Sequence, residues 1–294
     1  MTAPWLAALR RAAPPVAHDL PTWWAWHRKV RAHGPVARAA LASARADRLS
    51  SAFTSGYQAA LASLLGTGDE PLLGALAVTE AAGGHPRAIA TTLADGRLNG
   101  TKTFVTGGAQ AEVVWVVARD AAASRPDRPA LKIVRLPTTA PGIRWSAGPT
   151  PPFVPEVAHG VLTLTDTPAE HVLDRDGYAE VVKPFRTVED LHVLAAVLGY
   201  ALGEAARQHH PDPAWTEDAL ALLVTVEALA GRPPDHTAVH LALAAVYRQA
   251  RPLLDRGPWR GEAAQRWSRD APLLQVAAAV RSRRTERAWQ AWQG

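Results

Sequence analysis

The order of hydrophobic patterns along the 294-residue chain predicts an α+β fold, with helices before and after a middle β-domain. Apolar residues recur at three- and four-residue spacing in residues 1–70, which predicts an N-terminal α segment. Alternating apolar runs bounded by turn-rich stretches replace this pattern in residues 71–175. The helical period returns in residues 176–294. With 48% hydrophobic residues, the chain is long enough to bury a sizeable core.

The first two segments can be divided further. Helical patterns in the N-terminal segment lie in "WLAALRRAA", "LPTWWAWHRKVRA" and residues 36–66, with Pro and Gly between them. In the middle segment, Asp95-Gly96 separates two alternating runs, and this dipeptide favours a tight β-hairpin turn. The short strands predict a β-barrel or a small sandwich.

The C-terminal segment contains helical patterns over about 186–208, 215–230 and 236–254, and a last one beginning near Asp270. Pro- and Gly-rich breaks separate them, so the short connections predict an antiparallel four-helix bundle. A helix that begins at Arg186 has Glu189 and Asp190 in its first turn. Acidic residues there complement the helix dipole, which is one structural explanation for the pair.

Composition excludes several classes of protein. The chain has no cysteine, so neither disulfides nor thiolate sites can form. Apolar runs stay below the ~18 residues of a membrane span and a secretory leader pattern is missing, so we expect a soluble, cytoplasmic protein. The net charge of +5 and the stretch "RSRRTER" raise the possibility of a nucleic-acid partner. No recognition motif accompanies the arginines, so the sequence favours a solvated helix face.

Nucleotide, hydrolase and metal motifs are also missing. The chain has no Gly-x-Gly-x-x-Gly turn between a strand and a helix, no Walker A loop and no Gly-x-Ser-x-Gly elbow. His236 and His240 have the i, i+4 spacing of some zinc sites, but no third ligand is evident. Asp235 and His236 are instead typical of a helix start, and no metal site is predicted.

One stretch, from Leu76 to Arg119, has a specific pattern. It contains Thr79-Glu80, Gly84, Leu98-Asn99-Gly100, Lys102, Phe104-Val105-Thr106 and Gly108. At this spacing it resembles the middle domain of the acyl-CoA dehydrogenase family, and "RWSRDAPLL" is similar to that family's Arg-x-x-Arg-Asp segment. The resemblance covers roughly Gly74 to Leu274. The α, β, α order read from periodicity agrees with the architecture of that family.

The resemblance implies a flavoenzyme that uses FAD to oxidise an acyl thioester, carried by CoA or by a carrier protein, between Cα and Cβ. It assigns the flavin ring to positions 78, 79, 104 and 106, and substrate contacts to positions 84 and 85. These residues are Val78, Thr79, Phe104, Thr106, Gly84 and His85. A flat apolar wall and a few aimed donors suit a flavin ring. The family also implies a homo-oligomer, and we expect at least a dimer.

Several family motifs are missing. The Arg-x-x-Phe-Gly and Gln-x-x-Gly-Gly segments that hold the adenosine side of FAD have no counterpart, and Ala278 and Ala279 stand where many members carry a Glu base. A minority of the family places this Glu ten residues before a Gly of the first C-terminal helix, and counting back from Gly199 reaches Glu189. Glu189 is therefore the candidate base, and the adjacent Asp190 would raise its pKa. The alternative is a non-catalytic homologue with lost or weakened FAD binding and a role in binding or assembly.

Overall fold

The computed structural model describes residues 4–30, 34–66, 72–125, 128–209 and 212–293. The chain forms two compact units. One comprises residues 1–63, 152–154 and 187–294, and the other residues 64–151 and 155–186. The N-terminal and C-terminal helices thus share one unit. The expected divisions after residues 70 and 175 remain predictions, and residues 70 and 71 lie outside the described ranges.

The N-terminal segment is helical throughout its described elements, as predicted. A 3-10 helix, Pro4–Arg10, is followed by α1 (Leu20–Lys29), α2 (Pro35–Ser43) and α3 (Leu49–Leu65). Asp19 caps α1 by accepting a hydrogen bond from the Thr22 amide at 3.0 Å. The first predicted helix is therefore a tighter 3-10 turn, which is common for short pieces.

The C-terminal segment has one helix more than predicted. A π-helix, Gly177–Val182, runs into α4 (Lys183–Arg207), and then come α5 (Pro213–Ala230), α6 (Thr237–Asp255), α7 (Gly261–Asp270) and α8 (Ala278–Gln293). Within the described ranges these are five α-helices, so the count of four was wrong. The expected last helix near Asp270 is also wrong, because α7 ends there and a 3-10 turn, Ala271–Gln275, separates it from α8.

Helix α4 is the buried helix of its unit. An added Cβ on Gly199 would lie 2.2 Å from the Ala40 carbonyl oxygen of α2, and one on Gly203 would lie 1.9 Å from that of Ala44. Only glycine permits this close backbone approach. Residues 190–205 of α4 are buried on every side, as expected for a helix that is apolar all round.

The other unit is built around one eight-stranded sheet. Its strands are β1 (Gly74–Ala77), β2 (Thr92–Ala94), β3 (Arg97–Thr106), β4 (Val113–Asp120), β5 (Leu131–Pro137), β6 (Ile143–Ala147), β7 (His159–Pro168) and β8 (His171–Val172). The hydrogen-bonded order is β6-β7-β3-β2-β4-β5-β8, with β1 parallel to β4. The predicted β-domain is confirmed.

The predicted hairpin lies between β2 and β3. Asp95 and Gly96 have φ of 48° and 70°, the left-handed values that a type I′ turn requires at both positions. Side chains of β1, β3, β4, β5 and β7 share one hydrophobic core. This arrangement, together with the helical unit, confirms the α+β fold class.

No helix in the described part of the chain is long and apolar enough to cross a membrane.

Candidate functional site

The loop after β1 is tied to β3 by its backbone. The Thr79 carbonyl accepts hydrogen bonds from the Thr103 amide at 2.9 Å and from the Thr103 hydroxyl at 3.4 Å. Glu80 and Gly83 exchange backbone hydrogen bonds of 3.1 and 2.8 Å, and Gly83 has a left-handed φ of 103°. This tight turn holds the half-buried Thr79 beside β3.

A buried ion pair anchors the same loop. The Lys102 ammonium, with 0% of its side chain exposed, lies 2.6 Å from Glu80 Oε1 and also donates to the Val78 carbonyl at 3.3 Å. The Glu80 carboxylate accepts further hydrogen bonds from the Ala90 and Thr91 amides, at 2.7 and 3.1 Å. Burial opposes the charge on Glu80, but the hydrogen bond and charge of Lys102, together with hydrogen bonds from Thr91 and Ala90, outweigh it and lower the pKa of Glu80.

Sequence reasoning missed this anchoring role. Glu80 and Lys102 were recognised as matching residues of the motif, but no function was assigned to them. Asn99, in the same motif, accepts a hydrogen bond from the Asp166 amide at 2.8 Å. Gly100 has φ +151° and packs against Thr91, whose Oγ1 would lie 2.5 Å from an added Cβ. The sequence holds one signal for this anchoring role. Lys102 follows Gly100 by two residues in the strand pattern, and Gly100 adopts a backbone conformation that favours glycine.

Phe104 and Thr106 lie on the face of β3 opposite the core residue Val105. The Phe104 side chain is 38% exposed, which is unusual for so large an apolar group, and its ring centroid lies 4.2 Å from that of His159. His159 pairs with Thr106 across β3 and β7. Burial lowers the pKa of His159, so a neutral ring is favoured beside Phe104. His159 was not among the predicted residues.

Gly84 and His85 lie on the loop after Thr79. A Cβ added to Gly84 would be 3.6 Å from Thr79 Oγ1 and 3.6 Å from Val78 Cγ1, so Gly84 lies against both residues. His85 is exposed, and its Nδ1 accepts a hydrogen bond from the Arg87 amide at 3.3 Å. The structure thus brings Val78, Thr79 and Gly84 together, whereas His85 caps a short 3-10 turn.

Glu189 and Asp190 do not lie in the first turn of their helix. Because the π-helix leads directly into α4 at Lys183, Glu189 and Asp190 are the seventh and eighth residues of α4. The first-turn placement was wrong, since Asp176 caps the preceding π-helix by accepting hydrogen bonds from the amides of Tyr178 and Ala179. The dipole explanation loses its basis, because that effect is confined to the first turn.

Asp190 is held by two arginines of α8. Its buried carboxylate pairs with Arg281 at 2.9 Å and with Arg284. Arg284 also donates to Thr187 Oγ1 at 2.6 Å, and the Tyr247 hydroxyl donates to the Asp190 carbonyl at 3.1 Å. The two guanidiniums exceed the single carboxylate by one positive charge, so Asp190 is not an unbalanced anion beside Glu189.

The expectation of a solvated arginine face was therefore wrong for two of its members. Arg281 and Arg284 have 14% and 16% of their side chains exposed and face Asp190. Arg283 and Arg287 are exposed, as expected. Residues three apart in a helix share a face, which places Arg281 and Arg284 together on the side of α8 that meets α4 and Arg283 on a different side.

Glu189 is half-buried, in contrast to its neighbour. It lies near Tyr247, whose pKa is raised well above its usual value first by burial, then by Asp190, with a smaller effect from Glu189. A carboxylate in this position retains access that the Asp190 carboxylate has lost.

His236 is the N-cap of α6, where its Nδ1 accepts a hydrogen bond from the Ala238 amide at 3.2 Å. The predicted helix start is thus confirmed. Among the residues that the structure describes, no group of three or more His, Asp or Glu could hold a metal ion.

Comparisons with solved structures identify the fold. Neither the protein-family models nor the curated protein sequences include a match to this chain. Butyryl-CoA dehydrogenase from Megasphaera elsdenii matches with a TM-score of 0.65 and 16% identity, over 87% of this chain and 81% of that chain. A putative acyl-CoA dehydrogenase from Mycobacterium smegmatis matches with a TM-score of 0.59 and 17% identity, over 98% and 96%. KijD3, solved with FMN and a dTDP-sugar, matches with a TM-score of 0.59 and 18% identity, over 97% and 85%.

The chain therefore has an acyl-CoA dehydrogenase-like fold, which confirms the resemblance at the level of architecture. The identities of 16 to 18% correspond to a divergent sequence.

Proposed function

We propose that this protein is a flavin-dependent dehydrogenase that oxidises an acyl thioester between Cα and Cβ, with Glu189 as the base. The observation that carries the proposal is the exposed Phe104 ring on β3, beside the half-buried hydroxyls of Thr79 and Thr106. A flat apolar surface with a few hydrogen-bonding groups suits an isoalloxazine ring. The likeness to butyryl-CoA dehydrogenase supports the substrate class.

The donor set fits the ring portion of FAD. In this proposal the Thr79 backbone and hydroxyl and the Thr106 hydroxyl would hydrogen-bond to the flavin ring, and Phe104 and Val78 would supply apolar contact. A bound flavin would supply the two-electron acceptor that this oxidation requires. Glu80 and Lys102 serve this site indirectly, because their ion pair fixes the loop that carries Thr79.

Gly84 and His85 are proposed to contact the substrate. Gly84 lies against Val78 and Thr79, because an added Cβ would be in ordinary contact with both side chains. The Nδ1 atom of the exposed His85 accepts a hydrogen bond from the Arg87 amide, so Nε2 is proposed to contact a polar part of the thioester.

Glu189 is proposed to remove the α-proton of the thioester onto its carboxylate. It is half-buried and its charge is felt at Tyr247, whereas Asp190 is committed to Arg281 and Arg284. We therefore revise the expected role of Asp190. It is proposed to position Glu189 by fixing α4 against α8.

The substitution Glu189→Gln tests the chemical role. If Glu189 is the base, flavin content and thioester binding should persist, and turnover should fall by about 10²-fold to 10⁴-fold. Absorbance of the purified protein measures flavin content, and anaerobic bleaching of that absorbance by butyryl-CoA and longer acyl-CoAs measures reduction. Glu217→Gln, a change at an exposed carboxylate of α5, is the matched control and should leave the rate unchanged. Equal rates for wild type and Glu189→Gln would contradict the assignment.

A non-catalytic homologue is the second candidate. It is favoured by the missing adenosine-side motifs and by Ala278 and Ala279 at the usual base position. Under this alternative the purified chain is colourless, cannot be reconstituted with FAD, and is unaffected in flavin absorbance by any acyl thioester.

A further inference from the structure

A cavity of 480 Å³ lies within the helical unit, beside the Asp190 ion pairs. One face of α6 lines it, with Ala244, Tyr247, Arg248 and Arg251 at i, i+3, i+4 and i+7. Helix α8 lines it from Ala278 onward, and the floor includes Leu194 and Leu274.

The arginines that line the cavity differ in whether an acidic side chain pairs with them. Arg281 is paired with Asp190, and Arg251 lies 2.8 Å from the Asp255 carboxylate. Arg248 is exposed, and its side chain has neither a hydrogen bond nor an ion pair with any described residue. Glu286, also exposed, is the acidic side chain of the lining. Arg248 is thus an available cation at a cavity whose other arginines keep unused N–H donors.

We propose that this cavity binds a small organic phosphate, with Arg248 as the main phosphate ligand. A phosphate monoester carries nearly two negative charges at pH 7 and three acceptor oxygens, so it can bind Arg248 and also reach donors of Arg251. Leu194, Leu274 and the alanines receive the apolar body of the ligand. The volume lies within the range of about 300–1,000 Å³ that is typical of small-molecule sites.

The proposal does not rest on the dehydrogenase activity, because its assay is a binding measurement on the full chain. Isothermal titration calorimetry on the full chain, saturated with FAD if it binds flavin, compares hexyl phosphate, hexanol and inorganic phosphate. We expect hexyl phosphate to bind at least tenfold more tightly than either of the other two compounds. Hexanol lacks the phosphate, and inorganic phosphate lacks the apolar chain.

Substitutions test whether hexyl phosphate binds in this cavity. Arg248→Gln should weaken hexyl phosphate at least tenfold, whereas Arg283→Gln, at an exposed arginine of α8 outside the lining, should change it less than twofold. Ala244→Leu fills the cavity without altering charge, and should weaken hexyl phosphate more than inorganic phosphate. Absence of hexyl phosphate binding would overturn the proposal. Equal losses in Arg248→Gln and Arg283→Gln would also overturn it, because they would indicate diffuse attraction to a basic surface.

Discussion

Two adjacent pairs of polar residues, Thr79-Glu80 in the sheet unit and Glu189-Asp190 in α4, share one arrangement. In each pair the second residue is buried in ion pairs, Glu80 with Lys102 and Asp190 with two arginines of α8. The first residue of each pair is half-buried. In each pair the buried member fixes the backbone, and the proposed function assigns the chemistry to the half-buried member.

The largest expected effect concerns the anchor of the sheet unit. Lys102→Met leaves the Glu80 carboxylate buried without its cation, so we expect the free energy of unfolding to fall by about 3–5 kcal/mol. Urea unfolding followed by circular dichroism measures it. The control is Arg266→Met, at a partly exposed i, i+4 pair with Glu262, where a loss of about 0.5 kcal/mol is expected. Similar losses in both variants would show that Glu80 is not an anchor.

A pH effect of similar size is expected two residues beyond Asp190. His192 is buried, and burial lowers its pKa to about 4, although its hydrogen bond to the Val188 carbonyl opposes the shift. Above pH ~6.5 the ring is neutral in both folded and unfolded chains. As pH falls from ~6.5 to 4, only the unfolded chain takes up the proton, so about 3 kcal/mol of stability should be lost.

The measurement is the pH dependence of unfolding free energy in wild type and in His192→Gln. Carboxylates contribute to both proteins, so the difference between the two slopes reports the histidine. Parallel curves between pH 6.5 and pH 4 would show that His192 is protonated as readily in the folded chain as in the unfolded one.

A smaller effect is expected at the α4 anchor. Asp190→Asn removes the charge that Arg281 and Arg284 share, and should lower the free energy of unfolding by about 2 kcal/mol, the range for hydrogen bonds to charged groups. Glu189→Gln should change it by less than about 0.5 kcal/mol, because the substitution is nearly isosteric and the site half-buried. Thermal and urea unfolding measure the change in unfolding free energy for each of the two variants. A larger cost for Glu189→Gln would reverse the proposed division.

The smallest stability effect is expected at Phe104. Its ring is 38% exposed, so Phe104→Ala should cost less than about 1 kcal/mol, well below the ~3–5 kcal/mol of a fully buried Phe. Flavin content should nevertheless fall if the ring forms the apolar wall. Phe53→Ala, at a residue of α3, is a comparison outside the sheet unit and should leave flavin content unchanged. Retention of full flavin content by Phe104→Ala would argue against the proposed wall.

The sequence by itself determined the order of helices and strands, the turn at Asp95-Gly96 and the fold class. These features are local, since periodicity and turn chemistry are set by residues a few positions apart. It also identified the motif around Thr79 and Phe104. The predicted start of α4 at Arg186 is three residues late, because its π-helical lead-in has no simple sequence pattern.

Only the tertiary structure decided which polar residues are paired. Asp190 and Arg284 are 94 positions apart, and Glu80 and Lys102 are 22 apart. No spacing rule links such residues, because their contact depends on how α4 packs on α8 and how the loop after β1 folds onto β3. The difference in burial between Glu189 and Asp190 is likewise a consequence of packing. Adjacent residues of a helix point in directions that differ by about 100°, and the sequence does not show which of these directions faces another helix.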